Sequence, residues 1–348
     1  MCGCSIRGQE AKVADIHFLY LTQADVRATG VDMRLVLSAV EDAFRLHHQG
    51  KANLPPKVVL DLDERERGRG NAMPAYVGGN YDVFGLKWIT GFPKNPLRYG
   101  LPRGIGLFIL NDAWKGIPLA IMDCTLLSAM RTGAVTGVGA KFLARPDSQS
   151  VAMIGAGVQA RTQLEALHIV LSDLKEVRVF DVRRQAAEEY AAEMRARLAL
   201  AVRAVDSAEA AVREADVIVT VTVADEPIVK EAWVKPGSFF AAVGSYQEEE
   251  FAVVQNSDKV VVDGLEHVLH RRTPVIALMM QQGLLKEEKI SELGAIVCGE
   301  APGRQTTKER IFFSPIGLGT EDVCVCYQVY RLAVEKGIGS KLALFGAE

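Results

Sequence analysis

The chain has 348 residues, 49% hydrophobic and 24% charged, with a formal net charge of −3. The length allows two ordinary domains, the balance is globular rather than disordered, and the charge gives nucleic acid no general attraction. No apolar stretch reaches the ~20 residues of a membrane helix, and the opening MCGCSIRGQEAK has no apolar signal core, so a cytoplasmic protein is expected.

Residues 1–15 read as a loosely tied tail. Phe18–Leu21 is a short strand, and Thr22 caps a turn or helix running through Val26. Residues 33–47 place apolar side chains at helical intervals and end near Gly50. After Pro55 and Pro56, residues 57–62 alternate as a strand. A charged hairpin loop follows at 63–70, and then strands at 72–77, 83–90, 104–110 and 118–123. Residues 16–123 therefore read as an α+β unit rich in antiparallel strands. The run 125–143 is a long helix dense in Ala and Gly, open to close approach by another helix or a cofactor, and Pro146 follows it.

The next stretch organises the chain. Val151–Ile154 is a buried-strand pattern, and Gly155, Gly157 and Ala160 follow at G-x-G-x-x-A spacing. A helical pattern then leads to a second strand, 177–180, ending in Asp181. Gly155 permits a tight turn, Gly157 lets backbone approach a pyrophosphate, and the helix N-terminus faces the phosphates. Asp181 is placed to accept the adenosine ribose hydroxyls, which favours NAD over NADP; Arg183 and Arg184 just beyond can soften that choice. Further strands are expected at 201–205, 217–222, 238–243 and 259–262, with a last one at 292–299. Helices are expected at 160–171, 184–198, 207–214, 249–255, 273–282 and 320–336. Strand and helix alternating over this length imply a Rossmann-type, doubly wound parallel sheet. Residues 146–315 are read as the nucleotide-binding domain. Residues 16–145 with 316–348 are read as a sheet-rich substrate and dimerisation domain.

Six cysteines are present. Cys2/Cys4 and Cys324/Cys326 lack zinc-ligand spacing and a histidine partner, and Cys124 and Cys298 are isolated. Free thiols and no metal are expected. Lys87, between Leu86 and Trp88, reads either as a partly desolvated acid–base group or as a lysine on a polar strand face. Arg131, in the first turn of the small-residue helix, can fork onto a carboxylate or pair at the surface. Lys57 and Arg103 are further cations of the first unit, and Arg103 can meet a second acidic group on a substrate. Thr222, Val243 and Gly244 lie at the carboxyl ends of parallel strands, where ligands bind in such sheets.

The stretches Gly85–Trp88, Leu110–Asp112, Gly116–Leu119, Ser128–Ala134, Ile154–Gln159, Ala242–Gly244, Leu293–Gly294 and Gly299–Arg304 resemble the ornithine cyclodeaminase and mu-crystallin superfamily, from Phe18 to about Leu344. The resemblance implies a homodimer paired through the sheet-rich domains, a C-terminal helix (317–340) crossing back to the first domain, and a nicotinamide ring in the cleft between domains. It implies that Lys87 binds the substrate carboxylate, shuttles a proton, or both. It implies that Arg131 clamps that carboxylate with help from Lys57, and that Val158 and Gln159 contact the pyrophosphate side. Cofactor contacts fall at Thr222, Val243 and Gly244, and Ile316 and Gly317 approach the nicotinamide and substrate. Where cyclodeaminases carry an aspartate, this chain has Tyr246. Glu248 and Glu249, just beyond, read as the acidic first turn of a helix. The first functional expectation is therefore an NAD(P)-dependent amino-acid dehydrogenase or imine (ketimine) reductase. Ornithine cyclodeaminase is the second, and a cofactor-binding protein without turnover is the third.

Overall fold

The computed structural model describes residues 15–62, 68–224, 226–244 and 246–345. The expectations for the N-terminal tail with Cys2 and Cys4, and for the loop at 63–67, fall outside these. The first unit runs β1 (His17–Leu21), α1 (Gln23–Ala28), α2 (Met33–His48), β2 (Ala52–Asn53), β3 (Val58–Leu62), β4 (Gly68–Val77), β5 (Val83–Gly91), α3 (Asn95–Tyr99), β6 (Gly104–Asp112), β7 (Pro118–Asp123) and α4 (Thr125–Leu143). Alternation sorts β5 between two faces. Gly85 and Lys87 point to the buried side with Met73 and Phe108, while Phe84 and Trp88 point outward. Lys87 thus lies on the inner face of its strand, not on a polar one. On α2, Asp32 accepts the Leu35 N–H at 2.8 Å as the N-cap, and Met33, Val36, Leu37, Val40 and Phe44 form one buried stripe.

The second unit continues with β8 (Ser150–Ile154), α5 (Val158–Val170), β9 (Glu176–Phe180), α6 (Arg184–Leu198), β10 (Ala201–Ala204), α7 (Ala208–Val212), β11 (Val217–Thr220) and β12 (Phe239–Ala242). It then adds α8 (Phe251–Gln255), β13 (Lys259–Val262), α9 (Leu265–Arg271), α10 (Val275–Gln281), β14 (Ile290–Glu292), α11 (Leu293–Val297) and β15 (Ile311–Ser314). Its strand order is β10-β9-β8-β11-β12-β15-β13-β14, with every pairing parallel. The chain winds outward from β8 to β10, then crosses to β11 and winds the other way. That reversal leaves a crevice at the carboxyl ends of β8 and β11, the ligand position of doubly wound sheets.

Three expectations need correction. The run 292–299 is not a strand: after Glu292 it becomes α11, which buries Leu293, Ile296 and Val297. A short apolar run satisfies either period, and spacing of three and four residues against α2 decides it. The strand beside β12 is instead β15, within a stretch that carried no clear pattern. The final helix, α12, spans Gly319–Lys336, as the residue spacing over 320–336 predicts but shorter than the 317–340 the resemblance implies, and β16 (Ser340–Ala343) then pairs antiparallel with β1. The first sheet is ordered β16-β1-β7-β6-β5-β4-β2, with β3 also on β4.

α4 joins the two units. A β-carbon on Gly133 would lie 2.4 Å from the Thr162 carbonyl of α5, and one on Gly139 would lie 2.8 Å from Phe313 of β15. The small residues therefore serve helix and sheet packing. Among the described residues, no helix is long and apolar enough to cross a membrane, and Cys124, Cys298, Cys324 and Cys326 are free.

Candidate active-site cleft

A cleft of about 1780 Å³ runs between the units and is lined by both. At one end lies the glycine loop. Gly155 sits at φ +102°, a conformation that L side chains rarely adopt, and a β-carbon there would lie 3.1 Å from the Val221 carbonyl. Gly157 caps α5 with no side-chain hydrogen bond, and a β-carbon there would meet nothing within 4 Å. The first turn of the helix, with Val158 and Gln159, therefore opens on the cleft with its orphan N–H groups. Asp181 holds the loop: one carboxylate oxygen accepts the Ala156 N–H and the other the Arg183 N–H, both at 2.9 Å. Arg183 itself is exposed, its Nε 3.8 Å from Asp181. Arg161 braces the loop from below, donating to the carbonyls of Ala156 and Gly157 at 2.9 and 3.0 Å.

At the other end three cations face the same space. Lys87 is fully buried, and its Nζ donates to Asp322 at 2.7 Å and to Ser128 at 3.4 Å. Arg131 donates to Glu321 at 2.9 Å and lies 3.1 Å from the other Asp322 oxygen. Lys57 donates to the carbonyls of Ile316 and Gly317 at 2.9 and 3.4 Å. The N–H groups of Ile316 and Gly317 in turn donate to one oxygen of buried Asp263, at 2.8 and 2.6 Å, while its other oxygen has no partner. Gly317 lies at φ +79°, and any β-carbon there would collide with the Arg131 guanidinium at 2.2 Å.

The electrostatics follow from this crowding. Burial, then Arg131, pulls the Lys87 ammonium below its ordinary pKa, although Asp322 opposes the shift. Lys57 falls to about 7 through burial and the charges of Arg131 and Lys87. Burial lifts Glu321 to about 7 against the pull of Arg131, and Asp263 to about 6 against its hydrogen bonds from Gly317 and Ile316 and the charge of Lys57. Three cations and three carboxyl groups thus form one strained, nearly neutral network.

Between the two ends lie the loops after β11 and β12. Thr222, Val243 and Gly244 line the cleft. Glu248 is buried beneath them, accepting the Thr222 and Gly244 N–H groups. Glu249 is buried beside it with neither oxygen partnered, its carboxyl pushed far up by burial and by Glu248. Both precede α8 and neither lines the cleft, so they are interior groups rather than a solvated first turn, and Glu248 braces the loops. Tyr246 does line it.

Lys57, Lys87, Arg103, Arg131, Gly155, Gly157, Val158, Gln159, Asp181, Arg183, Thr222, Val243, Gly244, Ile316 and Gly317, singled out above for cofactor or substrate, all line this one cleft; Arg184 does not, and donates instead to Glu188 at 2.7 Å. Sequence reasoning missed Asp263, Glu321 and Asp322. Asp263 follows a β-branched strand directly, as Asp181 follows β9, and that position was the available signal. Glu321 and Asp322 open a helix, where acids have an ordinary reason to be, and nothing local marks them as partners of Lys87 and Arg131.

Residues 19–337 match the family model described as the ornithine cyclodeaminase/mu-crystallin family. The chain belongs to that family. It is 39% identical to an alanine dehydrogenase of Archaeoglobus fulgidus, over 94% of this chain and 98% of that protein. Among solved structures it is similar to the Thermococcus litoralis Δ1-pyrroline-2-carboxylate reductase in complex with NADH and L-proline, with a TM-score of 0.88, 34% identity and coverage of 93% and 99% of the two chains. An archaeal alanine dehydrogenase dimer with bound NAD gives a TM-score of 0.87 and 37% identity, covering 95% of this chain and all of that one. Within the family, the Rossmann-type half and the sheet-rich half described above are the shared architecture.

Proposed function

We propose that this family member is an NAD-dependent amino-acid oxidoreductase that moves a hydride to or from the α-carbon of an amino or imino acid, as a dehydrogenase or an imine reductase. The observation that carries the reading is that Lys57, Lys87 and Arg131 face the same cleft as the glycine loop. The chain fits the dinucleotide. Gly155, Gly157, Val158 and Gln159 suit a pyrophosphate, Asp181 the ribose hydroxyls, and Thr222, Val243 and Gly244 the nicotinamide side. Asp181 favours NAD, and exposed Arg183 leaves NADP accommodated. When bound, the cofactor accepts the hydride in oxidation and supplies it in reduction.

The protein's part is positioning and proton handling. Arg131 keeps one arm on Glu321 and turns its fork to the substrate carboxylate, with Lys57 as a second cation. The backbone of Ile316 and Gly317, pinned by Asp263, forms the adjoining wall. Lys87 exchanges a proton with the substrate nitrogen: burial lowers its pKa and eases release of the proton, and Asp322 holds Nζ in place. In oxidation the amino acid loses a hydride and a proton to become an imino acid. Water then adds at that carbon and ammonia leaves, giving an oxo acid. Reduction of an imine runs the first step backwards, with the proton returned to nitrogen. Cyclodeamination is disfavoured because Tyr246 offers no carboxylate base and Glu248 is committed to backbone N–H groups.

The outer face of the first sheet supports a homodimer. Val58 (65% exposed), Trp88 (42%) and Leu107 (46%) lie in one cross-strand row, with Leu60 (52%) and Ile105 (42%) in the next. A contiguous apolar face of this kind marks an interface, and a second copy of the same sheet is the occupant proposed here. Sedimentation should give a dimer, and Trp88→Arg a monomer.

The test of activity is purified protein with L-alanine, L-ornithine, L-lysine or L-glutamate and NAD, and with cyclic imines and NADH. Net NADH formation, or net NADH consumption with an imine, is the expected result. Ammonia and proline from ornithine without net NADH would replace this reading with cyclodeamination. Silence with every substrate, despite NADH binding, would replace it with a binding protein.

A further inference from the structure

Beyond the inner network the cleft carries positive charge that the proposed hydride and proton transfers leave unused. Arg69 extends from β4 on the same face as Met73, and strand pairing sets Met73 against Lys87 and Arg69 against Gly91. Four strand residues place that outer row roughly 13 Å from the Lys87 row. The Arg69 side chain passes 3.7 Å from where a Gly91 β-carbon would stand, so glycine there leaves it room. Arg103 enters β6 beside the same row, its carbonyl accepting the Phe92 N–H at 2.7 Å. Arg271 arrives from the other unit, at the end of α9. A second recess of about 820 Å³ adjoins the cleft and shares Lys57, Arg69, Tyr246 and Arg271 with it.

The three guanidinium groups repel rather than neutralise one another. Burial and then Arg69 hold both Arg103 and Arg271 below the ordinary arginine value, while Tyr246 opposes this at both and Asp61 at Arg271. Among the described residues, none of the three arginines donates to a carboxylate. Of the other arginines lining the cleft, Arg131 pairs with Glu321, Arg161 with Glu193, Arg183 with Asp181 and Arg197 with Glu165, while the Arg27 guanidinium donates to the Gln23 side chain. Arg69 and Arg271 line the recess, and the more exposed Arg103 flanks it from the cleft; like charges gathered without a described acid favour an anion among them, and planar guanidinium forks suit a carboxylate.

We propose that Arg69, Arg103 and Arg271, with the Tyr246 hydroxyl, form a second anion site that selects an amino or imino acid whose side chain itself ends in a carboxylate. This deepens the oxidoreductase reading and rests on it. The inner cations take the α-carboxylate and the outer arginines take the distal one, so an acidic substrate spans the cleft with its α-carbon between them. An uncharged substrate of equal size leaves the outer cations uncompensated.

The experiment compares acid and amide pairs of near-identical shape, L-glutamate with L-glutamine and L-aspartate with L-asparagine, by kcat/KM with NAD. Titration calorimetry of the same ligands on the NADH-loaded protein runs in parallel. The expected result is a preference for one acid over its amide of at least about tenfold. That preference should shrink to within about threefold in both Arg103→Gln and Arg271→Gln, with NADH affinity retained as the check on folding. An amide bound or turned over as well as its acid, or a preference unchanged in both variants, overturns the proposal. Loss of NADH affinity in Arg103→Gln would assign the cluster to the dinucleotide and overturn it as well. The two readings fail separately: turnover of L-alanine without acid preference removes only the second anion site. Selective binding of the acid without any turnover removes the oxidoreductase reading and leaves the site.

Discussion

The glycine-loop end of the cleft takes Gly155, Gly157, Val158, Gln159 and Asp181 from one β–α–β stretch. The basic end instead joins Lys87 to Asp322 across 235 positions of sequence and adds Lys57, Arg131, Asp263 and Glu321 from other elements. The first end is a local device whose parts act on one ligand, so losing one part weakens binding by degrees. The second is a closed network of buried charges, and removing one member strands its partner in the core. Stability and chemistry are therefore separable at one end and bound together at the other.

Asp322→Ala should strand Lys87 and lower unfolding free energy by about 3–5 kcal/mol, read by urea denaturation. The double variant Lys87→Met/Asp322→Leu should recover most of that. A loss below about 1 kcal/mol in the single variant would show the network to be far looser than a buried ion pair. Lys87→Ala should reduce kcat by about 10²–10⁴ while leaving NADH affinity nearly intact. If both fall together, Lys87 is structural and the contrast between the two ends is lost. Asp181→Ala should weaken NADH binding about tenfold, the scale of one charge-assisted hydrogen bond, and narrow the preference over NADPH. An unchanged NADH:NADPH ratio would remove Asp181 from the ribose.

The remaining expectation concerns pH dependence. Folded Glu321 and Asp263 sit at about 7 and 6, above their ordinary 4.5 and 3.8, so the folded chain holds their protons more tightly. Their contribution is complete below the unfolded values and is lost as pH rises through about 6 to 7. Lys57 runs the other way: held at about 7 against an ordinary 10.5, its charge opposes folding at neutral pH, and stability recovers as pH rises from about 7 towards 10.5. The Tm of the ligand-free protein should therefore dip near neutrality, and Glu321→Gln should flatten the acid limb. A profile unaltered by that substitution would show that Glu321 does not titrate there.

What could be read in advance divides along the same line. The glycine turn, the strand before it and the acid after it carry their meaning in spacing alone, and Rossmann topology follows from alternation. From its own neighbours Lys87 is only a lysine between two apolar residues, and its role is legible through the family resemblance alone. Its face of the sheet depends on register with β4 and β6, and its partner on how α12 docks. Ile311–Ser314 is four residues with charged neighbours, too short to declare a period, and it is a strand because the sheet offers it two neighbours. Leu293–Val297 has the residues of a strand but packs as a helix, because Gly294 lets the Phe44 carbonyl of α2 approach to where a β-carbon would lie at 3.2 Å.

Gly133 stands two residues after Arg131, and its backbone rests on Thr162, one turn into the helix that begins at the glycine loop. The donor and acceptor halves are thus clasped through main-chain atoms at a point close to both. Hydride transfer tolerates little error in distance, and a displacement of about 1 Å can cost about a hundredfold in rate. In this protein a methyl group in place of the Gly133 hydrogen would press on the Thr162 carbonyl and push the two units apart at that point.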